Sequence, residues 1–197
     1  MADFNNILPS GVDIKAIEIV SNQPTVRTTS VSGRQQVRSF GGQYWTMKIT
    51  MPLMNEFNLR QIYGFLIKQK GGLSTFTIAP KNLKDAGSSA VTNTASEGID
   101  AVAVGATSVE LDSQNKMFAG DMFKFSGHTK AYMVTADQGS DDTVNFEPAC
   151  ISAVGASETL QCAGNFFMTV RLTGDNFSYQ MDENGLGSIQ FDVVEAV

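Results

Sequence analysis

The chain has 197 residues, 42% of them hydrophobic, and a formal net charge of −6. That length suits one large domain or two small ones, and the apolar content supports a real core and excludes a disordered chain. No stretch reaches the ~18 consecutive apolar residues of a membrane helix, the N-terminus lacks the basic-then-apolar pattern of a secretory signal, and the acidic balance argues against nucleic-acid binding.

Charge is unevenly spread. Residues 19–84 carry nine basic side chains against the single acid Glu56, for +8, whereas residues 85–197 carry 16 acids against four bases, for −12. Such asymmetry points to an interaction surface, unless folding intermixes the two halves.

In chain order, strand signals dominate. Ile14 to Ser21 alternates and is β-branched. Thr25 to Val31 and Arg34 to Phe40 read as a hairpin about Ser32-Gly33. Gly41-Gly42 breaks the chain. Gln43 to Met51 then alternates, with Trp45, Met47, Ile49 and Met51 on the predicted core face. One helix is predicted from Asn55 to Lys70. Asn55 suits the N-cap and Glu56 the first turn. Leu59, Ile62, Tyr63, Leu66 and Ile67 form its apolar face, Lys68 and Lys70 suit its last turn, and Gly71-Gly72 stops it. Leu73 to Ala79 is a further strand, closed by Pro80.

The composition then shifts. Asp85 to Gly98 reads as a linker. Short strands follow at Thr107–Leu111, Asp121–Ser126, Ala131–Thr135, Thr143–Phe146 and Glu158–Cys162, the pattern of a small barrel or sandwich. Longer apolar strands close the chain at Phe166–Leu172, Phe177–Met181 and Ser188–Val194, with Glu183-Asn184-Gly185 turning between the last two. The expected class is mainly β: a β-sandwich with one flanking α-helix and an inserted small β-barrel or sandwich domain. The end strands complete the first sandwich most economically. The expected domains are 1–80 plus 165–197 for the sandwich and 97–164 for the insertion, with 81–96 as linker.

Catalytic chemistry is hard to place. His128 is the only histidine, and in its loop it reads as a solvated side chain. No nucleophile elbow or phosphate-binding glycine loop accompanies it. Zinc would need more Cys and His than Cys150, Cys162 and His128 provide. The two cysteines are expected as buried free thiols rather than a disulfide. Asp137, Asp141 and Asp142, and Asp182 with Asn184, cluster as calcium ligands would, but fit no calcium loop and read as turn residues. No cofactor, no metal and no enzymatic activity are expected. Arg27, Arg34 and Arg38 lie near Tyr44 and Trp45 with no RNA-binding signature, so they are expected at a subunit interface or a solvated face. Alternation puts Arg34 and Arg38 on one face of their strand, and Arg27 joins them or not according to register.

The order of elements resembles a known family. Gly42-Gln43-Tyr44-Trp45 opens a strand, Met51-Pro52-Leu53-Met54 forms a loop, the helix follows, and Gly71-Gly72-Leu73-Ser74-Thr75-Phe76 leads out. Downstream, Gly105 to Val109, Ala119 to Phe125 and Ala131 to Val134 are similar to the smaller β domain of the same proteins, and Phe191 to Ala196 to their final strand. These are tail proteins of tailed bacteriophages. The resemblance implies a virion protein of the phage tail, assembled in the host cytoplasm. It implies a non-catalytic structural subunit of a homo-oligomeric ring, six copies being expected, in contact with other tail proteins. A distal-tail or baseplate position is expected, with a tail-tube or head-to-tail joining subunit as the alternative. From another class, a glycan-binding host-recognition module would use Tyr132, Phe146 and Tyr179, which read more simply as core. No membrane and no sequence-specific nucleic acid are expected as partners.

Overall fold

The computed structural model describes residues 2–4, 13–80, 96–111, 117–139, 142–162 and 166–197. Most of the expected linker, 81–95, lies outside the described residues, as does Asp141. The chain is mainly β with one α-helix, the class the sequence predicts.

The first body is an eight-stranded sheet. Its path runs β1(Ala2–Asp3), β7(Thr75–Ile78), β14(Met168–Leu172), β16(Leu186–Glu195), β5(Tyr44–Thr50) and β2(Ala16–Asn22), and β6(Met54–Asn55) and β15(Tyr179–Met181) also pair with β16. Strands from both ends of the chain therefore share this sheet. The long β16 alternates buried and exposed residues along nearly its whole length. Its first half pairs with β15 and β6, its second with β5 and β14. On β5 the predicted core residues Trp45, Met47 and Ile49 are buried, and Met51 just beyond is buried too.

The helix α1 spans Glu56–Lys68. The Asn55 side chain accepts from the Asn58 N–H at 2.9 Å, satisfying one orphan donor of the first turn. Leu59, Ile62 and Leu66 are buried as expected, and Phe65 joins them. Two expectations shift. Ile67 is exposed, because it lies about 100° round the helix from Leu66. Lys70 falls beyond the helix in a left-handed conformation (φ 54°). The helix sits close on β16. A Cβ on Gly187 would lie 2.4 Å from the Gln180 carbonyl oxygen and 2.9 Å from Leu59 Cδ2, so only glycine permits this approach. Phe4, fully buried, completes the core: its ring centroid lies 5.4 Å from those of Phe65 and Phe191.

The second body is a six-stranded antiparallel sheet built wholly from residues 96–162. Its order is β8(Ser96–Gly98), β13(Thr159–Cys162), β10(Met122–Phe125), β11(Tyr132–Val134), β12(Thr143–Glu147) and β9(Ser108–Glu110). An Ile99–Leu111 bridge joins the two ends of this order and closes the sheet into a barrel. Its interior holds Phe123, Phe125, Tyr132 and Phe146, with ring centroids 5.2–5.9 Å apart. Cys150 and Cys162 are both buried and are not joined in a disulfide, as the sequence suggests. The turn reading fits Asp182, whose Oδ1 accepts from the Asn184 and Leu186 N–H groups, whereas Asp137 Oδ1 accepts across the chain from the Ala119 N–H, 18 residues away.

Leu66→Ala removes a fully buried side chain and is expected to destabilise by about 2–5 kcal/mol. Gly187→Ala must displace the β15 backbone at Gln180 and crowd Leu59 of the helix, and is expected to cost about 1–3 kcal/mol. Denaturant unfolding measures both, and a change under about 0.5 kcal/mol in either would remove that residue from the core packing.

Candidate assembly surface and the seam between the two bodies

The residues named from sequence all lie on one hairpin. Among the described residues, strands β3(Thr25–Thr29) and β4(Gln35–Ser39) pair only with each other, and all their residues are exposed. The turn is tied by the Gly33 N–H to the Ser30 carbonyl at 2.9 Å, with Gly33 at φ +78°. At the base, Gly41 and Gly42 both take positive φ, which glycine adopts without steric cost. Val26, Val31, Val37 and Phe40 are all exposed on this hairpin or at its base. A lone two-stranded hairpin is marginally stable in water, so one that exposes four large apolar side chains calls for a covering surface.

The register decides how the arginines group. Arg27 stands opposite Val37, and Arg38 opposite Val26. Directly opposed residues share a face, and neighbours along a strand alternate. Arg27 and Arg38 therefore project from opposite faces. Arg34 lies at the turn, one residue before β4 begins. The hairpin carries basic groups on both faces and at its tip. None of the three arginines forms an ion pair with a described acid. Their positions at the turn and in the register required the three-dimensional pairing and could not be read from spacing.

A second polar constellation was not foreseen. It joins the barrel to the sandwich. Lys130 and Glu195 are 65 residues apart and form an ion pair of 2.5 Å, with side chains 1% and 0% exposed. The Lys130 ammonium also donates to the Gln43 carbonyl at 2.7 Å and to Gln43 Oε1 at 2.8 Å. Glu195 Oε1 accepts from the Ala131 N–H at 2.7 Å, and Oε2 from the Trp45 N–H at 3.3 Å. The Trp45 indole N–H donates to the Ala131 carbonyl at 3.0 Å. Burial pulls the Lys130 pKa below that of an ordinary lysine, opposed by its bond and its charge pairing with Glu195. Around these groups Met122, Ala131 and Met133 of the barrel pack into the sandwich core. One signal was legible. Glu195 shares strand parity with Ile189, Phe191 and Val193, which are buried, and an acid at a core position needs a buried partner.

The remaining sequence candidates resolve simply. Tyr132 and Phe146 are buried in the barrel interior, and Tyr179 is half-buried with its ring 5.0 Å from that of Tyr63. None presents an open aromatic platform for a sugar. His128 is not the solvated side chain expected: it is half-buried, edge-on to Phe125 with centroids 5.6 Å apart. Its turn folds back through the His128 N–H to the Phe125 carbonyl at 2.9 Å, which brings the imidazole over the ring.

No family model matches the chain. A distal tail protein, pb9 of Escherichia phage T5, is 25% identical to it over 196 residues, covering 89% of this chain and 87% of that protein. The chain is a distant relative of a phage tail protein. The similarity spans nearly the full length of both chains and leaves too few residues outside it to omit either body. This near-full-length similarity agrees with the resemblance seen in the strand, loop and helix order.

The barrel core makes a pH test available. Burial raises the Tyr132 pKa well above its ordinary value, since the phenolate would be desolvated. In the unfolded chain the same phenol ionises near its ordinary value of about 10. Above that pH the unfolded state therefore binds fewer protons, and stability falls as pH rises, by up to about 1.4 kcal/mol per pH unit from this residue. Unfolding midpoints of the wild type between pH 9 and 11, roughly bracketing that value, should fall more steeply than those of Tyr132→Phe. Parallel profiles would show that Tyr132 ionises equally easily in both states.

Proposed function

We propose that the chain is a non-enzymatic structural subunit of a phage tail, of the distal-tail or baseplate type. It forms a homo-oligomeric ring, with six copies as the expected number, and contacts other tail proteins in the virion. The near-full-length similarity to the distal tail protein pb9 carries this reading. The uncovered basic hairpin supports it, because a stable isolated chain has no use for a strand pair that buries nothing.

In this reading neighbouring copies associate head to tail. The hairpin of one copy, with Arg27, Arg34 and Arg38, meets an acidic side of the next, and a fixed rotation per copy closes the ring. Charge steers and orients the encounter more than it adds affinity, and salt screens it at the rim. The apolar Val26, Val31 and Val37 supply the area that exclusion of water rewards.

Electron microscopy and native mass measurement test the ring directly. Closed rings support the proposal. A stable monomer that binds host polysaccharide favours a glycan-recognition module instead, and rings that stack into open tubes favour a tail-tube subunit. Arg34→Glu/Arg38→Glu should remain folded but sediment as a monomer at low salt. Rings of unchanged size would take these arginines out of the subunit interface.

The barrel is proposed to be a separable insertion, 97–164, within a ring-forming sandwich of 1–80 and 165–197. Replacing the insertion by a short Gly-Ser linker should leave a folded, cooperative β protein by circular dichroism, with Trp45 newly exposed. An insoluble product without β structure would mean that the two bodies share one folding core.

A further inference from the structure

The seam between barrel and sandwich holds an unusual combination: a fully buried ion pair, saturated with hydrogen bonds, set among apolar groups that lack directional preference. The ammonium of Lys130 has three protons and three acceptors, Gln43 O, Gln43 Oε1 and Glu195 Oε2, within 2.5–2.8 Å. Both oxygens of Glu195 are also engaged by backbone donors, Ala131 N–H from the barrel and Trp45 N–H from the sandwich. Every one of these bonds except Trp45 N–H to Glu195 crosses from one body to the other. The apolar part of the seam on the barrel side is Met122, Ala131 and Met133. Methionine is flexible and fills gaps of many shapes, so these contacts tolerate small slides and rotations of the barrel. The polar set does not. A shift of an ångström or two would leave two charges buried without partners, which costs far more than the apolar contacts could recover.

A buried ion pair, however, is a poor source of net stability, because stripping water from both charges offsets most of their attraction. We infer that Lys130 and Glu195 are positioning residues: their pairing holds the barrel in one orientation on the sandwich, making the seat unique rather than strong. Gln43 completes the device by fixing the ammonium through both its carbonyl and its side chain. Trp45 is locked to the barrel by its indole N–H and senses whether the seat is occupied. This inference is independent of ring formation, since it concerns two bodies of one chain.

The test uses the full chain and the neutral pair Lys130→Met/Glu195→Gln, in which the glutamine oxygen still accepts from the Ala131 N–H. Trp45 is the only tryptophan, so its fluorescence lifetime reports the seam alone. Spin labels at Lys48→Cys on the sandwich and Asn145→Cys on the barrel, both exposed positions, report the distance between the bodies, the native cysteines being buried. The wild type should give one narrow distance and one dominant lifetime. The neutral pair should unfold at the wild-type denaturant midpoint, yet show a broadened or divided distance distribution and more than one Trp45 lifetime. Lys130→Met alone, which strands the Glu195 charge, should raise the unfolded population by roughly a hundredfold or more. Two results overturn the inference. One is a neutral pair with the wild-type distance and lifetime, which would remove the positioning role. The other is a neutral pair that fails to fold or loses as much stability as the single variant, which would make the pair a source of strength. If Lys130→Met itself does not fold, the comparison of wild type with the neutral pair still decides.

Discussion

The structure hangs on strand β16. Its ten residues alternate inward and outward with hardly a break, and that alternation serves four strand partners and the helix at once. A slip of one residue would turn Ile189, Phe191 and Val193 to solvent and put Gln190 and Asp192 into the core. Gly187 lets the helix approach near one end of the strand, and Glu195 reaches the barrel at the other. The placement of helix, sheet and barrel is thus tied to a single register.

The same two-fold periodicity explains how a small barrel can belong to two cores. On β10, Phe123 and Phe125 point into the barrel while Met122 points into the sandwich core. On β11, Tyr132 and Val134 point in while Met133 points out. Most of these inner positions are aromatic, and several pairs pack edge to face, where ring geometry adds specificity to area. The outer positions are methionines, which conform to whatever they meet. Rigid residues thus build the barrel itself, and adaptable ones dock it.

Much of this was legible in the chain. The core face of β5, the N-cap at Asn55, most of the helix stripe and the Gly33 turn follow from local periodicity and turn chemistry, which need only near neighbours. The misses share a cause. Ile67 passes for core because the apolar face was drawn too wide for a helix covered from one side. Phe4 carries no local signal of burial, yet fills a space bounded by Phe65, Phe76 and Phe191, none of them near it in sequence. Strand parity hints that Glu195 is buried, but nothing local names Lys130 as its partner, 65 residues away. The facing of Arg27 and Arg38 depended on hairpin register, which spacing alone leaves open. Local signals predict elements, and what lies between elements must be seen.

Barrel closure has a consequence of its own. The Ile99–Leu111 bridge pairs the two outermost strands of the barrel sheet, which shortens the free edge it would otherwise present. The sandwich sheet, by contrast, ends in β2, a seven-residue strand that among the described residues is paired on one side only. The two bodies therefore speak to other molecules in different languages. The sandwich can extend its sheet by main-chain pairing, which is indifferent to side-chain identity. The barrel is read mainly through side chains and loops, so its surface can diversify while the architecture beneath it stays the same.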